Sequence, residues 1–422
     1  MMLRNITYEK LYHYCLVMVM ILLCCFPKFI GLAVAIFVLI VIIGWRKKQL
    51  FWKFFPLSYL LVGLYFLYLI GILASHHEND AWGYAENKVS FLLFPLIFSF
   101  RPKFKVDLLP PLLGLASGVA LVSIYGIVNS CSLIAVNGWD LNFLVSVHIS
   151  PIHHPTYFAF YIITAVSGLW LLFFENKFPY PIKWLIFYTV CCGLMFLLCL
   201  SLASILYLFA LLGAIGLLAV KRKFGLIWTI VVSLLLPIVF YSFSQFVPRI
   251  KFEVNNGLSA MGTFLTNPIQ YVKDKPGDKT GNEVRLVMWA ATILEIKEHP
   301  LGVGTGNVDE HLSERLKDLG QVELSKKDDK GHIRYNPHNQ FLQTTLEIGF
   351  AGLSILLIYI FGLFRLAWKN KNAFLAILVG ALFFNALFES VLQRQSGIVF
   401  FSYLLSLMIM VLSMNSQKSE SK

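Results

Sequence analysis

Charge is scarce in this chain of 422 residues: 14% are Asp, Glu, Lys or Arg and 58% are hydrophobic, against roughly a quarter charged in an average soluble domain. A soluble fold has no interior large enough for that much apolar surface. Paired thiols are missing too. Six of the seven cysteines (Cys15, Cys24, Cys25, Cys191, Cys192 and Cys199) lie inside apolar runs, and Cys131 stands alone at the end of one. That pattern excludes a disulfide framework and zinc-ligand spacing. The sequence has no Asp-x-Asp and no carboxylate cluster of metal-binding type, so neither a metal nor a cofactor is expected. It also lacks the internal repeat that marks the two halves of many transporters, which weighs against a transporter or flippase.

What remains is a succession of apolar runs. They are about 17 to 25 residues long, enough to carry a helix through some 30 Å of hydrocarbon, and continuous rather than alternating, which excludes a barrel. They predict an all-α integral membrane protein with about 12 transmembrane helices, near residues 11–28, 29–45, 57–74, 90–100, 109–129, 155–174, 183–199, 201–220, 224–246, 341–364, 372–388 and 397–414. The fourth run is short, and the turns between the first and second and between the seventh and eighth are tight, which leaves eleven as an alternative count. Tyr14 to Phe26 lacks a small-residue cleavage site and leads straight into the next run, so it reads as an uncleaved first helix.

The excess of 35 Lys and Arg over 23 Asp and Glu would suggest a nucleic-acid partner in a soluble protein. Here the basic residues stand between apolar runs and act as topology signals; no nucleic acid is expected. With the N-terminus inside, every even-numbered connection is basic, for example Arg46, Lys47 and Lys48, then Arg101, Lys103 and Lys105, then Lys221, Arg222 and Lys223. The short outer loops hold only Lys28, Lys88 and Arg394. This asymmetry predicts nine spans in residues 1–247, a large outward-facing loop at 248–340 containing helices, three spans in 341–414 and an inner tail at 415–422. Nine of the ten histidines, all but His13, then fall on the outer side.

Within the loop, Thr280-Gly-Asn-Glu283 reads as a capping box opening a helix of about sixteen residues that ends at His299-Pro300. Arg285 and Trp289, four apart, share a face of it. Gly302-Val-Gly304-Thr-Gly306-Asn307 lacks the spacing and preceding strand of a dinucleotide site and reads as a turn lying close to a ligand or another backbone. Lys326 to Lys330 reads as a charged, solvated stretch.

The segment Pro337-His338-Asn339-Gln340 places a histidine and two amides where the loop re-enters the membrane. Glu347 and Glu389 sit at membrane depth, where an ionisable side chain is costly and faces a cavity or a partner. Arg394 closes the outer connection after Glu389, and the two could form a structural ion pair. His153-His154 precede a span; adjacent histidines point in different directions and make no metal site by themselves, but the stretch is expected to border the cavity.

These motifs resemble the O-antigen ligase and O-antigen polymerase superfamily of bacterial envelope glycosyltransferases. Its signature, His followed by Asn, Ser or Gln, nine residues, Gly, two residues and then Gly, Thr or Tyr, is met by His338-Asn339, Gly349 and Gly352. The upstream pattern, an Arg four before a Trp and then Pro-Leu-Gly-x-Gly-x-Gly-Asn, is met by Arg285, Trp289 and Pro300 to Asn307. The related region is expected at about 185–360. One departure stands out: many relatives carry Ser-Arg-Gly near the start of the eighth span, whereas this chain has Leu200-Ser-Leu-Ala-Ser-Ile205.

The resemblance implies an enzyme of the bacterial inner membrane with its site facing the periplasm. The donor would be a glycan on undecaprenyl pyrophosphate and the acceptor a hydroxyl of lipid A-core or another glycan. His338 would be the base and Arg285 the pyrophosphate-binding arginine, with Arg394, Asn339, Gln340, Trp289, Glu389 and His154 contacting pyrophosphate or glycan. Direct displacement at C1, without a metal, would invert the anomeric centre. A polymerase joining two lipid-linked repeats is the nearest alternative, and a protein O-glycosyltransferase a further one.

Overall fold

The computed structural model describes residues 7–75, 78–246, 248–274, 281–329 and 331–420. Helices α1 (Tyr8–Cys25) and α2 (Ile30–Arg46) are followed by the short strand β1 (Leu50–Trp52), α3 (Pro56–Ile72), α4 (Glu78–Asn87), α5 (Ser90–Ser99) and β2 (Phe100–Pro102). Then come α6 (Leu109–Asn137), α7 (Pro155–Phe174), α8 (Ile182–Cys199), α9 (Leu202–Phe224) and α10 (Leu226–Ser244). The next segment folds as α11 (Pro248–Thr266), α12 (Pro268–Asp274), α13 (Gly281–Glu298), α14 (Val308–Asp318) and α15 (Val322–Ser325). The chain ends with α16 (Gln340–Lys369), α17 (Ala373–Phe388) and α18 (Gln395–Glu420).

Among the described residues nine helices are long and apolar enough to cross a membrane, with α3 and α17 as shorter apolar helices. Each predicted run falls on a helix, but the short fourth run is only the ten residues of α5, with Pro95 inside it. Two bounds are corrected. Helix α6 continues to Asn137 rather than 129, stopping at Gly138, whose φ of 86° ends it. Helix α13 has 18 residues rather than about sixteen, and Thr280 of its predicted capping box lies outside the described residues.

Close helix packing uses small residues. Gly114 and Gly118, one turn apart on α6, meet α1 so closely that an added Cβ would lie 2.7 Å from the Val17 carbonyl oxygen and 2.6 Å from the Cys24 Cβ, the small-x-x-x-small arrangement that lets apolar helices approach without a hydrophobic driving force between them. Helix α18 is the central post, 89% of its apolar window being buried inside the protein; α10, equally apolar, is wholly peripheral with 0%. At one end of the bundle β1 pairs antiparallel with β2, Phe51 opposite Arg101. At the other end the C-termini of α3 and α17 meet the N-termini of α7, α16 and α18, joined by contacts such as Tyr161 Oη to the Ser396 carbonyl at 2.7 Å and Thr305 Oγ1 to the Tyr68 carbonyl at 2.8 Å.

The segment between α10 and α16 has its own apolar core, in which Val287, Met288 and Ala291 of α13 and Leu312 and Leu316 of α14 are fully buried, and Leu346 of α16 joins it. Its docking depends on a break in α16. Ile348 (φ −132°) and Gly349 (φ 70°) leave the helix, which frees carbonyl groups that must be satisfied again. The glycine turn does this: Val303 N–H donates to the Leu346 carbonyl at 2.8 Å and Gly304 N–H to the Glu347 carbonyl at 3.1 Å. Gly302, Gly304 and Gly306 all have φ between 91° and 97°, and a Cβ on Gly302 would lie 2.6 Å from Gly349 N. The turn therefore lies close against backbone. Lys327 bridges Ile333 across the exposed stretch that follows α15.

Candidate functional site

The centre of the polar end is Glu389, which caps α17 in an extended conformation. Arg285 Nη2, from α13, meets its Oε1 at 3.0 Å, and His338 Nδ1, from the turn before α16, meets its Oε2 at 3.0 Å. Residues 104 and 51 positions away in sequence thus share one carboxylate. Burial alone would raise the Glu389 carboxyl, but the hydrogen bond to His338 and the charges of His338, Arg285 and His154 outweigh it and hold the pKa down to about 2. The group is a carboxylate at neutral pH. A carboxylate only accepts hydrogen bonds, so the contact requires His338 Nδ1 to carry a proton, which makes Nε2 the ring nitrogen available to a substrate proton.

The turn that presents His338 is strained and braced. His338 has φ 47°, a left-handed conformation costing of order 1–3 kcal/mol for a residue with a side chain. Its N–H donates to Asn336 Oδ1 at 2.9 Å, and Ser390 Oγ donates to the same oxygen at 3.2 Å. Asn339 Oδ1 caps α16 by accepting from Leu342 N at 3.0 Å, while its Nδ2 donates to the Leu387 carbonyl at 3.1 Å. Gln340 is fully buried; it donates to Thr344 Oγ1 at 2.9 Å and accepts from Leu392 N at 2.6 Å. The Asn339 amide thus ties the start of α16 to the end of α17, and the Gln340 amide ties it to the connection between α17 and α18, next to Glu389.

Arg285 keeps donors in hand. Its Nη1 reaches Asn282 Oδ1 at 3.3 Å, and among the described residues its Nε has no partner, nor has the indole N–H of Trp289 one turn along. Arg394 is exposed and does not pair with Glu389, correcting that sequence expectation: Arg285 takes the carboxylate oxygen instead. The two adjacent histidines divide. His153 is buried between Ser396 Oγ at 3.1 Å and the Cys24 carbonyl at 2.8 Å, a structural tie. His154 is exposed and lies within electrostatic reach of Glu389, Arg394, His338 and Arg285. The Leu200–Ile205 segment, where the relatives' arginine is missing, packs beside it, Ser201 Oγ reaching Thr156 Oγ1 at 3.0 Å.

Glu347, the other ionisable residue expected at membrane depth, forms a second carboxylate centre whose partners the sequence did not reveal. Lys88, fully buried, pairs with Glu347 Oε1 at 3.3 Å and donates to Gln393 Oε1 at 2.8 Å, while Gln393 Nε2 donates to Glu347 Oε2 at 2.7 Å. Lys88 read as an outer-loop charge; nothing in its local sequence pointed to a partner 259 residues away. Asp309 was missed likewise and meets Tyr84 Oη at 3.2 Å and His332 Nδ1 at 3.0 Å. Among the described residues one group, Glu295, His299 and His311, has donor atoms within 4.8 Å of one another. Arg315 Nε already holds Glu295 at 2.6 Å, so the group reads as an ion-pair network joining α13 to α14.

Fold and site together define a helical membrane protein with an Arg–Glu–His constellation at one end of its apolar helices. Residues 187–357 match the family model described as O-Antigen ligase, which places the chain's resemblance with the O-antigen ligase superfamily. Comparison with curated proteins finds no match. The matched stretch contains Arg285, Trp289, the glycine turn, His338, Gly349 and Gly352, whereas Glu389 and Arg394 lie beyond it.

Proposed function

We propose that the protein is an O-antigen ligase-like glycosyltransferase that moves a polysaccharide from undecaprenyl pyrophosphate to a hydroxyl of lipid A-core at the periplasmic face of the bacterial inner membrane. The observation that carries this reading is the shared carboxylate: Glu389 fixes His338 with Nε2 open as a base and holds Arg285 beside it. In the reaction Nε2 takes the proton of the acceptor hydroxyl as its oxygen bonds to the sugar C1. The bond from C1 to the pyrophosphate oxygen breaks, its electron pair stays on that oxygen, and configuration at C1 inverts. Arg285 answers the charge that develops there, as a guanidinium suits phosphate oxygens; general-base help of this kind is worth about 10²–10⁴-fold.

Arg394, exposed near His154 and the start of α9, would supply the second cation that relatives place in Ser-Arg-Gly. The residues proposed for this chemistry need no metal. The test is deletion of the gene and complementation with His338→Ala and Arg285→Ala. Loss of long-chain polysaccharide from the core, with full-length chains held on the lipid carrier, is expected; attachment at normal levels with either variant would refute the assignment. Single repeat units on the core would instead indicate the polymerase.

A further inference from the structure

Beside the Glu389 centre lies a cavity of about 200 Å³ lined by Tyr84, Asp309, His332, Asn336, Gln343 and Glu347, with exposed Arg334 and Arg394 at its rim. The family pattern assigns nothing to it. Its wall is built: Gln343 is 5% exposed and Glu347 2%, and Lys88, buried behind, holds Glu347 in place. Gln343 Nε2 is used on Glu347 at 3.4 Å, but its Oε1 has no hydrogen-bond partner among the described residues. An unpaired buried acceptor calls for a donor from a ligand.

Two carboxylates in the wall disfavour a phosphate inside. Asp309 and the unpaired Gln343 carboxamide oxygen instead offer acceptors to the hydroxyl groups of an uncharged ring. The position is informative as well. Asn336, in the cavity wall, is the residue that accepts from the His338 N–H, so hydrogen bonds run from Arg285 through Glu389 and His338 to the wall of the polar hollow.

We infer that this cavity is the subsite for the terminal sugar of the acceptor, held by Asp309 and Gln343 and delivered from there to the His338 base. The inference rests on the transferase reading above. The test is steady-state transfer by the full-length protein in lipid nanodiscs, with lipid-linked glycan donor and core glycolipid acceptor varied separately, for wild type, Gln343→Ala and Asp309→Asn.

Each variant loses one hydrogen bond to the ring, so the acceptor KM should rise about three- to tenfold while the donor KM and kcat stay within about twofold. An unmoved acceptor KM in both variants, or a rise in the donor KM alone, overturns the subsite and leaves the transferase reading standing. No transfer by wild type overturns both. Gln343→Ala decides the matter by itself if Asp309→Asn is not monodisperse.

Discussion

Glu389 and Glu347 are two carboxylates at the same end of the helices, and their surroundings part them. Glu389 faces partners that reach solvent, the Arg285 and His338 side chains being 28% and 23% exposed. Glu347 faces Lys88, which is 0% exposed, and two glutamines. The first centre has open valences: an unpaired Arg285 Nε and a free imidazole nitrogen. The second is closed on the lysine side and open only where Gln343 meets the cavity. A carboxylate that organises chemistry keeps its partners accessible, whereas one that organises structure buries them.

The largest effect expected of this contrast is at Lys88. Lys88→Met leaves Glu347 buried without its cation, a change that costs about 3–5 kcal/mol when one partner of a buried pair is removed. It should lower the unfolding temperature of the detergent-solubilised protein sharply, and Lys88→Met with Glu347→Gln should recover most of the loss. A near-neutral single variant would break the contrast.

The opposite signature is expected at the open centre. His338→Ala should cut transfer by about 10²–10⁴-fold with little change in unfolding temperature. A smaller structural effect is expected at the turn that docks on the break in α16: Gly302→Ala combines a φ of 91° with a 2.6 Å approach to Gly349 N and should cost about 1–3 kcal/mol, read as a lowered unfolding midpoint.

The smallest effect is one of pH. The folded Glu389 carboxyl is depressed to about 2, below its unfolded value, so its contribution to stability is present above that unfolded value and disappears as pH falls toward 2. Wild type should therefore exceed Glu389→Gln in stability at neutral pH, the margin closing as pH falls below the unfolded carboxyl value toward 2. A margin that persists undiminished in acid would contradict the paired carboxylate.

The helical architecture was legible because hydropathy acts over whole runs, and each run of about twenty apolar residues has one low-energy form in lipid. Hydropathy could not rank those helices: α10 and α18 read alike, yet one is peripheral and the other central, since burial is decided by which faces find partners. His338 and Arg285 were singled out through the family resemblance of the motifs around them, and the structure brings both to one carboxylate. Glu389 was noticed as an ionisable group at membrane depth, but its partners were not, because a contact across 104 residues leaves no periodic trace. The same distance hid Lys88 and Asp309. The ties that the Asn339 and Gln340 amides make to Leu387 and Leu392 were hidden in the same way, by separations of 48 and 52 residues.

The central claim is that Arg285, Glu389 and His338 form one transfer centre for a lipid-linked glycan. Its most direct test is single-turnover transfer by the purified protein in nanodiscs, following release of undecaprenyl pyrophosphate from the donor in step with glycan appearing on the acceptor. Wild type should complete both together, and monodisperse His338→Ala should slow both by about 10²–10⁴-fold. Equal rates for wild type and His338→Ala would contradict it.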